Sequence, residues 1–242
     1  MRPTPGTLIH PTPRYSVAAG RNTTWAAVER IRLADGEAAA VVAEVHALIA
    51  AETECTVVSW WLSDRSTPAD VEAQLLDAGL KIVPDDYLID GLLATSPPPA
   101  GPPEIEVRPV ASVDEFVEVR ALQEDVFETP SERRRSRDQL AVEYETTDGV
   151  LYGAWLDGRL AGAGGATAAS RGLLLWGGAT AEWARGRGAY RALVRARWDE
   201  AVARGTPALT VGAGAMSSPI LTRLGFEKVV QFRRLHDVLS RA

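Results

Sequence analysis

The sequence predicts an α/β (α+β) chain built from two halves, and three features carry this prediction. Stretches with strand-like apolar patterning alternate with stretches of helical spacing along the 242 residues. A run of prolines from Ser96 to Pro103 divides them, because proline fixes φ and lacks the N–H donor that a sheet interior needs. A glycine-rich, basic turn from Trp183 to Ala189 lies between a predicted strand and a predicted helix. We therefore expect domains at residues 1–95 and 105–242, joined by a Pro-rich linker at 96–104.

Composition is that of a soluble globular protein, with 46% hydrophobic and 24% charged residues. A net charge of −6 provides no basic field for nucleic acid and mildly favours a cationic or amine-bearing substrate. No apolar run approaches membrane-spanning length, and Met1 to Pro13 lacks the apolar core of a signal peptide. We expect a cytoplasmic monomer or homodimer with no nucleic-acid or membrane partner.

Cysteine and histidine usage argues against redox and metal chemistry. The single cysteine, Cys55, excludes an intrachain disulfide and lies in an apolar run typical of a buried strand. His10, His46 and His236 lack metal-ligand spacing. No metal site is expected.

The first half alternates strands and helices. Its predicted strands are Tyr15 to Ala19, Thr24 to Leu33 and Cys55 to Leu62, and its predicted helices are Gly36 to Ala51 and a segment from Ser66-Thr67-Pro68 to Gly79-Leu80.

The second half has a similar pattern. Its predicted strands are Ile105 to Pro109, Val150 to Leu156, Arg159 to Ala168, Leu173 to Thr180, Ala208 to Gly212 and Val229 to Leu239; its predicted helices start at Ser112, Glu132, Ala189 and Ser217-Ser218-Pro219. Asp157-Gly158 suits a type I′ hairpin turn. The basic run Arg133 to Arg135 with Arg137 is interpreted as a solvated helix face paired with Asp138 and Glu132.

A short echo relates the halves. Ser66-Thr67-Pro68 and Ser217-Ser218-Pro219 each open a predicted helix after a strand, and each helix ends at a glycine. The echo indicates a degenerate duplication, although Ser/Thr-Pro helix starts are common enough for coincidence. No arginine-glycine loop precedes Gly36, so one cofactor site is expected in two similar halves.

The turn from Trp183 to Ala189 has the chemistry of an anion site. Unpaired N–H groups at a helix start bind phosphate oxygens, glycines allow close approach, and Arg185 and Arg187 supply charged donors. One alternative is a plain strand-to-helix connection with solvated arginines. A Rossmann loop is a poorer alternative, since it would require glycine or alanine at Arg191.

Arg185-x-x-Gly188 resembles the R/Q-x-x-G-x-G/A pyrophosphate loop of the GCN5-related N-acetyltransferases (GNAT). Leu224-Gly225-Phe226, after a short helix, resembles the second common signature of that family, and the resemblance covers about Ile105 to Leu239. Two positions depart from the pattern. Tyr190 stands at the last G/A position, and Leu221 stands where many members carry a tyrosine general acid.

The resemblance implies the GNAT fold, a mixed, mainly antiparallel, twisted sheet flanked by helices. It also implies a tandem arrangement whose first half is degenerate and non-catalytic. Acetyl-CoA is the implied co-substrate, with a bulge at Gly177-Gly178 making room for pantetheine. The implied cofactor-binding residues are Ala179, Thr180, Ala181, Arg185, Gly186, Arg187, Gly188, Ala189, Tyr190 and Ser218. The basic run at Arg133 could then meet the 3′-phosphate of CoA or an acidic substrate.

The implied reaction is direct transfer of an acetyl group to a primary amine of a small molecule or peptide in a ternary complex. Glu182 is the first candidate for the base, with Glu143, Glu145 or a water chain as alternatives. Ser217 is the candidate acid, with Ser218, Tyr190 or water as alternatives. A non-catalytic acyl-CoA-binding regulatory module and an enzyme using a longer acyl-CoA are the competing functions.

Overall fold

The computed structural model describes residues 7–20 and 26–239, which separate into two compact units. The N-terminal unit contains residues up to 91 together with 213–216 and residues from 230 onward. The C-terminal unit contains residues 92–212 and 217–229. The division therefore falls inside three strands, β6 (Leu88–Ala94), β11 (Leu209–Ala213) and β12 (Glu227–Val238).

The N-terminal unit is a mixed sheet with helices packed on it. Its elements are β1 (Thr7–Pro11), β2 (Ser16–Gly20), β3 (Ala26–Glu29), α1 (Ala38–Glu52), β4 (Val57–Leu62), α2 (Val71–Asp77), β5 (Lys81–Ile82) and α3 (Pro84–Tyr87). The strand order is β1-β2-β3-β4-β12, with β5 also paired to β12. Only the pairing of β3 with β4 is parallel among these.

The core of the N-terminal unit follows from the spacing of apolar residues in α1. Val41, Val45 and Ile49 recur at helical spacing and are fully buried with Val28 and Trp60 of the sheet. Cys55 is buried in the same core, as its apolar context predicts.

The C-terminal unit is a second mixed sheet. Its elements are β7 (Ile105–Pro109), α4 (Val113–Val126), α5 (Arg137–Thr146), β8 (Val150–Leu156), β9 (Arg159–Ala169), β10 (Gly172–Thr180), α6 (Ala189–Ala203), β11 (Leu209–Ala213) and α7 (Ser218–Arg223). The order is β11-β10-β9-β8-β7, and only β10 with β11 is parallel within this series. The predicted turn between β8 and β9 forms, with positive φ at Asp157 and Gly158.

Helices cover both faces of this sheet, which explains why β8 reads as a continuous apolar run. Phe116 and Val119 of α4 pack with Ala163 of β9 on one face. On the other face α6 lies over two glycines of the same strand. A Cβ added at Gly162 would lie 3.1 Å from the Cδ1 atom of Leu193 in α6. The glycines of β9 therefore admit a close helix.

Two predicted helix starts are wrong. The helix predicted from Pro68 begins at Val71, because Thr67 stays extended and its N–H donates to Ile31 O. The helix predicted from Glu132 begins at Arg137, where Ser136 and Gln139 form a capping box after a 3-10 turn at Ser131–Arg133.

The basic run does not pair as expected. Arg134 contacts Asp125, Arg135 contacts Glu124 and Glu143, and Arg137 contacts Asp114. Part of the strand predicted from Thr24 falls outside the described residues, and the rest, β3, ends at Glu29.

The Pro-rich segment contacts the C-terminal unit. Pro98 O accepts a hydrogen bond from Arg195 Nη1 of α6 (3.2 Å), and a Cβ at Gly101 would collide with the Ala192 backbone. Residues of this segment therefore pack on α6. Among the described helices, none is both long and apolar enough to cross a membrane.

Candidate active site

A bulge interrupts β10 where the sequence places Gly177-Gly178. The register with β9 shifts between Trp176 and Ala179, and Gly177 has φ of +60°. Parallel pairing of β10 with β11 covers Leu173–Leu175. Beyond that point the backbone of β10 is without its β11 ladder in the described part of the chain, and its polar groups are available to a ligand that runs along the strand.

The stretch after β10 forms a tight turn into α6. Ala181 N donates to Ala161 O (2.9 Å), and Glu182–Ala184 form a 3-10 turn. Gly186 and Gly188 follow with φ of +76° and +89°, so both positions favour glycine.

Gly188 occupies the N-cap position of α6, and no side chain caps this helix. The N–H groups of Ala189, Tyr190 and Arg191 lie in the first turn and have no intrahelical acceptor. The helix dipole adds partial positive charge at the same place. The turn therefore has the backbone geometry of an anion site.

Three arginines surround this helix start without carboxylate partners among the described residues. Arg185 and Arg187 are exposed. Arg187 lies 5.9 Å from the centroid of the Trp183 ring, and Arg159, at the start of β9, lies 4.3 Å from it. The sequence predicts the first two as charged donors of an anion site. It does not predict Arg159, because the hairpin brings this residue to Trp183 only in the folded chain.

Gly188 is also constrained by the Pro-rich segment. A Cβ at Gly188 would lie 2.6 Å from Pro102 Cγ and 2.7 Å from its Cδ. The same addition at Gly186 would meet nothing within 4 Å. The two loop glycines thus differ in what a substitution would disturb.

Tyr190, which replaces the small residue of the resembled loop, lies against the bulge. A Cβ at Gly178 would be 2.7 Å from the Tyr190 Cε2 atom and 3.3 Å from its hydroxyl oxygen. Burial raises the pKa of Tyr190, and the nearby Arg197 guanidinium opposes this increase.

Arg197 of α6 is a fully buried cation beneath the sheet. It donates to Leu193 O (2.9 Å) and Gly165 O (3.1 Å), while its Nη2 has no hydrogen-bond partner among the described residues. Burial lowers the pKa of Arg197 to about 10. The guanidinium faces carbonyls and tyrosines, with no carboxylate within ion-pair distance in the described chain.

The predicted proton carriers occupy different environments. Glu182 is exposed at the start of the 3-10 turn. Ser217 is at the N-cap position of α7 without a side-chain cap bond, and Ser218 is the first residue of that helix; both are half-buried. Leu221 is completely buried and apolar, so it offers no proton.

The implied cofactor-binding backbone is contiguous. Ala179 and Ala181 are buried, and Thr180 between them is half-buried. The structure thus brings Ala179–Ala181 and the loop Arg185–Tyr190 into one continuous strand-turn-helix.

A charged network joins α4 to α5 and contains Glu143, an alternative candidate for the base, and Arg135 of the basic run; its link to β10 was not predicted. Arg120 Nη2 lies 3.1 Å from Glu143 Oε1, Glu143 also contacts Arg135, and Arg135 Nη2 lies 3.0 Å from Glu124 Oε1. Both carboxylate oxygens of Glu143 are engaged by arginines, which makes it a poor acceptor for a substrate proton. The same network reaches the bulge through Gln123, whose Nε2 donates to Gly177 O (2.5 Å).

In the N-terminal unit, a carboxylate lies at the start of α1. The loop before α1 turns the Glu37 carboxylate back onto Ala34 N (3.0 Å). Arg32 and Thr67 form an isolated parallel β-bridge, so the segments that follow β3 and β4 remain hydrogen-bonded to each other. A carboxylate at this helix start opposes anion binding.

Among the described residues, no group of three or more histidine, cysteine, aspartate or glutamate side chains is arranged to hold a metal ion.

No protein-family model matches the chain, and no curated protein matches it at a significant level. Solved structures do match. A GCN5-related N-acetyltransferase from Kribbella flavida is 17% identical, with 96% of this chain and 90% of that chain covered at a TM-score of 0.67. A tandem GNAT protein from the clavulanic acid biosynthesis pathway, determined without acetyl-CoA, is 17% identical over 99% of this chain and 86% of that chain (TM-score 0.63).

A third match is a putative GNAT-family acetyltransferase from Novosphingobium aromaticivorans. It is 20% identical over 93% of this chain and 89% of that chain, with a TM-score of 0.58. The chain therefore has the GNAT fold along most of its length, and the tandem match is consistent with two such units.

Proposed function

We propose that this chain, which has the GNAT fold, is an acyl-CoA-dependent N-acyltransferase. It would transfer an acetyl group from acetyl-CoA to a primary amine of a small molecule or peptide, directly and within a ternary complex. The observation that carries this proposal is the bulged end of β10, which extends past its β11 ladder and leads into the uncapped, arginine-flanked start of α6. Such a strand-turn-helix offers one continuous surface for a thioester, its pantetheine arm and a diphosphate.

The diphosphate is assigned to the helix start. The N–H groups of Ala189 and Tyr190 would donate to its oxygens, with Arg185 and Arg187 supplying charge-assisted donors. Gly186 leaves the backbone open to close approach, whereas Pro102 fills the space beside Gly188. Arg159 would add a third cation near Trp183, suited to a further phosphate of the nucleotide.

The pantetheine arm is assigned to Ala179–Ala181, with Ser218 on the opposite side. Amide groups of a pantetheine arm require backbone partners, and β10 beyond Leu175 is without its β11 ladder. This supports the assignment without requiring any side chain to change position.

The reaction requires a donor for the oxyanion. The amine nitrogen attacks the thioester carbonyl carbon, the carbonyl oxygen gains negative charge, and the C–S bond then breaks. The N–H groups near Ala179 to Ala181 are candidates, apart from the N–H of Ala181, which already donates to Ala161 O, and the bulge adds the N–H of Gly178. Preorganised backbone donors of this kind stabilise the developing charge without reorganisation.

Two proton transfers complete the chemistry. Glu182, exposed at the strand end, would accept the ammonium proton of the amine, directly or through water. The departing thiolate would receive a proton from Ser217, from the Tyr190 hydroxyl or from water. Burial raises the pKa of Tyr190 and the Arg197 guanidinium opposes this only in part, so the Tyr190 hydroxyl would be a weaker donor than an exposed tyrosine.

The activity is assigned to the C-terminal domain, predicted at 105–242, and the N-terminal domain at 1–95 is proposed to be non-catalytic. Glu37 at the start of α1 and the hydrogen-bonded Thr67 support this division of roles.

A non-catalytic acyl-CoA-binding module is the second candidate. It is favoured by the buried Leu221 and by the bulky Tyr190 at a position that is small in the resembled loop. An enzyme using a longer acyl-CoA is a variant of the first proposal.

A thiol-release assay separates these candidates. Purified protein is incubated with acetyl-CoA and a panel of polyamines, amino acids, aminoglycosides and peptides, and free CoA thiol is measured. Release that depends on one amine supports the transferase. Binding of acetyl-CoA without release from any amine supports the regulatory module, and a strong preference for longer acyl chains supports the variant.

A further inference from the structure

We propose that Gln123 is a positioning residue that fixes the β10 bulge so that the N–H of Gly178 points at the thioester carbonyl oxygen. The inference rests on the proposed acyl transfer and adds a role for residues on α4 and α5.

Gln123 is held by two hydrogen bonds in a buried setting. It is 2% exposed, its Nε2 donates to Gly177 O (2.5 Å), and its Oε1 accepts from Arg120 Nη1 (2.6 Å). An arginine can only donate, so the atom facing Arg120 is the oxygen and the amide orientation follows. Flipping the amide would break both bonds at once, and Gln123 therefore holds the Gly177 carbonyl in one direction.

Because the peptide bond is planar, the direction of the Gly177 C=O also fixes the direction of the Gly178 N–H. In a trans peptide the C=O of one residue and the N–H of the following residue point to opposite sides. Because Gly177 O points toward Gln123 of α4, the N–H of Gly178 points away from α4. The Tyr190 ring of α6 packs against Gly178 itself.

Glycine at position 177 is part of the same arrangement. Its φ of +60° disfavours other residues, and a Cβ there would lie 2.5 Å from Gln123 Nε2. The Gln123 amide therefore fills the space that a side chain at Gly177 would need.

The charged network explains why Gln123 is rigid. Arg120 is anchored on Glu143, Glu143 on Arg135, and Arg135 on Glu124, with two positive and two negative groups in alternation. Burial lowers the pKa of Arg120, as expected for a cation withdrawn from water. Buried ion pairs are weak evidence for stability but can specify one arrangement. Here the ion pairs hold Arg120, and Gln123 connects Arg120 to the Gly177 carbonyl in the bulge.

Loss of the Gln123 amide should therefore slow acyl transfer and leave the binding of acetyl-CoA unchanged. Among the described residues the hydrogen bonds of the Gln123 amide go to Arg120 and Gly177 and not to the diphosphate loop at Arg185–Tyr190, so losing the amide should leave CoA binding intact. Losing one oxyanion donor costs about 10²- to 10³-fold in rate in enzymes that use such donors. A variant of Gln123 should thus lower kcat with little change in the KM for acetyl-CoA.

Gln123→Glu tests the donor directly. The carboxylate keeps an oxygen facing Arg120 but places a second oxygen against Gly177 O, which turns that peptide away. Gln123→Met removes the donor without adding charge and keeps the side-chain length, in case the glutamate variant fails to fold. Asp125→Asn is the matched control, because it makes the reverse change on the same helix at an exposed pair with Arg134.

The readout is the infrared carbonyl stretch of bound [1-¹³C]acetyl-CoA, together with thiol release with the best amine of the panel. We expect a red-shifted carbonyl in the wild type and in Asp125→Asn. In both Gln123 variants we expect the red shift to be lost, acetyl-CoA affinity within about threefold of wild type, and thiol release lower by about 10²-fold.

Wild-type red shift and rate in both Gln123 variants would overturn the inference. Parallel loss of folding or of acetyl-CoA affinity would also overturn it, because Gln123 would then hold the fold and not the bulge. A wild type that binds no acetyl-CoA would instead overturn the proposed function, so the two failures are distinguishable.

Discussion

In the proposed function, acyl-CoA recognition depends on the arginines at the start of α6. Arg185 and Arg187 are exposed and have no carboxylate partner among the described residues, so their charge is available to a phosphate. Charge-assisted hydrogen bonds contribute about 1.5–3 kcal/mol when buried and less in water. Arg185→Ala should therefore raise the Kd for acetyl-CoA by about tenfold, measured by calorimetric titration.

Arg171→Ala is the control for that titration. Arg171 is an equally exposed arginine in the turn between β9 and β10, at the other end of β10 from the loop. An unchanged Kd in Arg185→Ala, or an equal loss in Arg171→Ala, would contradict the assignment of the diphosphate.

Arg159 tests whether the nucleotide end of CoA reaches Trp183. Arg159→Ala should weaken binding of CoA more than binding of 3′-dephospho-CoA, since it removes the cation suited to the extra phosphate. Competition measurements with the two nucleotides give the ratio, and equal losses for both would place Arg159 outside the phosphate contacts.

The two loop glycines predict different effects on stability. Gly186→Ala adds a methyl group with nothing within 4 Å, so only its positive φ is penalised, by about 1–2 kcal/mol. Gly188→Ala has the same backbone penalty and also collides with Pro102, which adds about 1–3 kcal/mol. Urea unfolding should rank Gly188→Ala as the less stable variant, and equal midpoints would contradict the packing of the Pro-rich segment on α6.

At the scale of elements, the start of α4 is stabilised by charges that titrate at low pH. Ser112 accepts from Glu115 N (3.2 Å), and the Glu115 carboxylate accepts from Arg108 and from Ala111 N. Its hydrogen bonds with Arg108 and Ala111 lower the pKa of Glu115 to about 2. A folded-state pKa below the unfolded value stabilises the fold above the unfolded pKa, and that stability is lost as pH falls through the folded pKa.

Glu115→Gln should therefore lower the urea midpoint at pH 7. The difference from wild type should shrink between about pH 4.5 and pH 2, where the wild-type carboxylate becomes protonated. A difference that stays constant over this range would show that the charge of Glu115 does not contribute.

Local signals predict most elements of the chain. Asp157-Gly158 and the flanking apolar runs identify the β8–β9 hairpin, and Ser112 identifies the start of α4. The strand β6 was not predicted, because Gly91 interrupts its apolar run and glycine is depleted in strands. Its Cβ position is occupied by the Val230 side chain, which is a tertiary reason for the glycine.

The candidate site likewise has one part that the sequence predicts and another that only the fold brings together. The loop from Arg185 to Tyr190 is contiguous in sequence, so spacing alone indicates it. Gln123 and Arg120 reach the bulge only because α4 packs on the sheet, and no spacing in the sequence reports that contact. The basic run at Arg133 was misassigned for a similar reason, since the partners of Arg135 lie on two different helices.

At the scale of the whole molecule, the two units differ in the charge at a helix start. The C-terminal unit has an uncapped helix start with arginines, and the N-terminal unit has Glu37 at the corresponding place. Electrostatics therefore favours anion binding in one unit and opposes it in the other. The expected stoichiometry is one acetyl-CoA for each chain.

Calorimetric titration of the intact chain with acetyl-CoA tests the central claim most directly. The proposal predicts saturable binding of one acetyl-CoA per chain, weakened by Arg185→Ala. Absence of binding, or binding that is unaffected by the loss of Arg185, would contradict the assignment of the site to the start of α6.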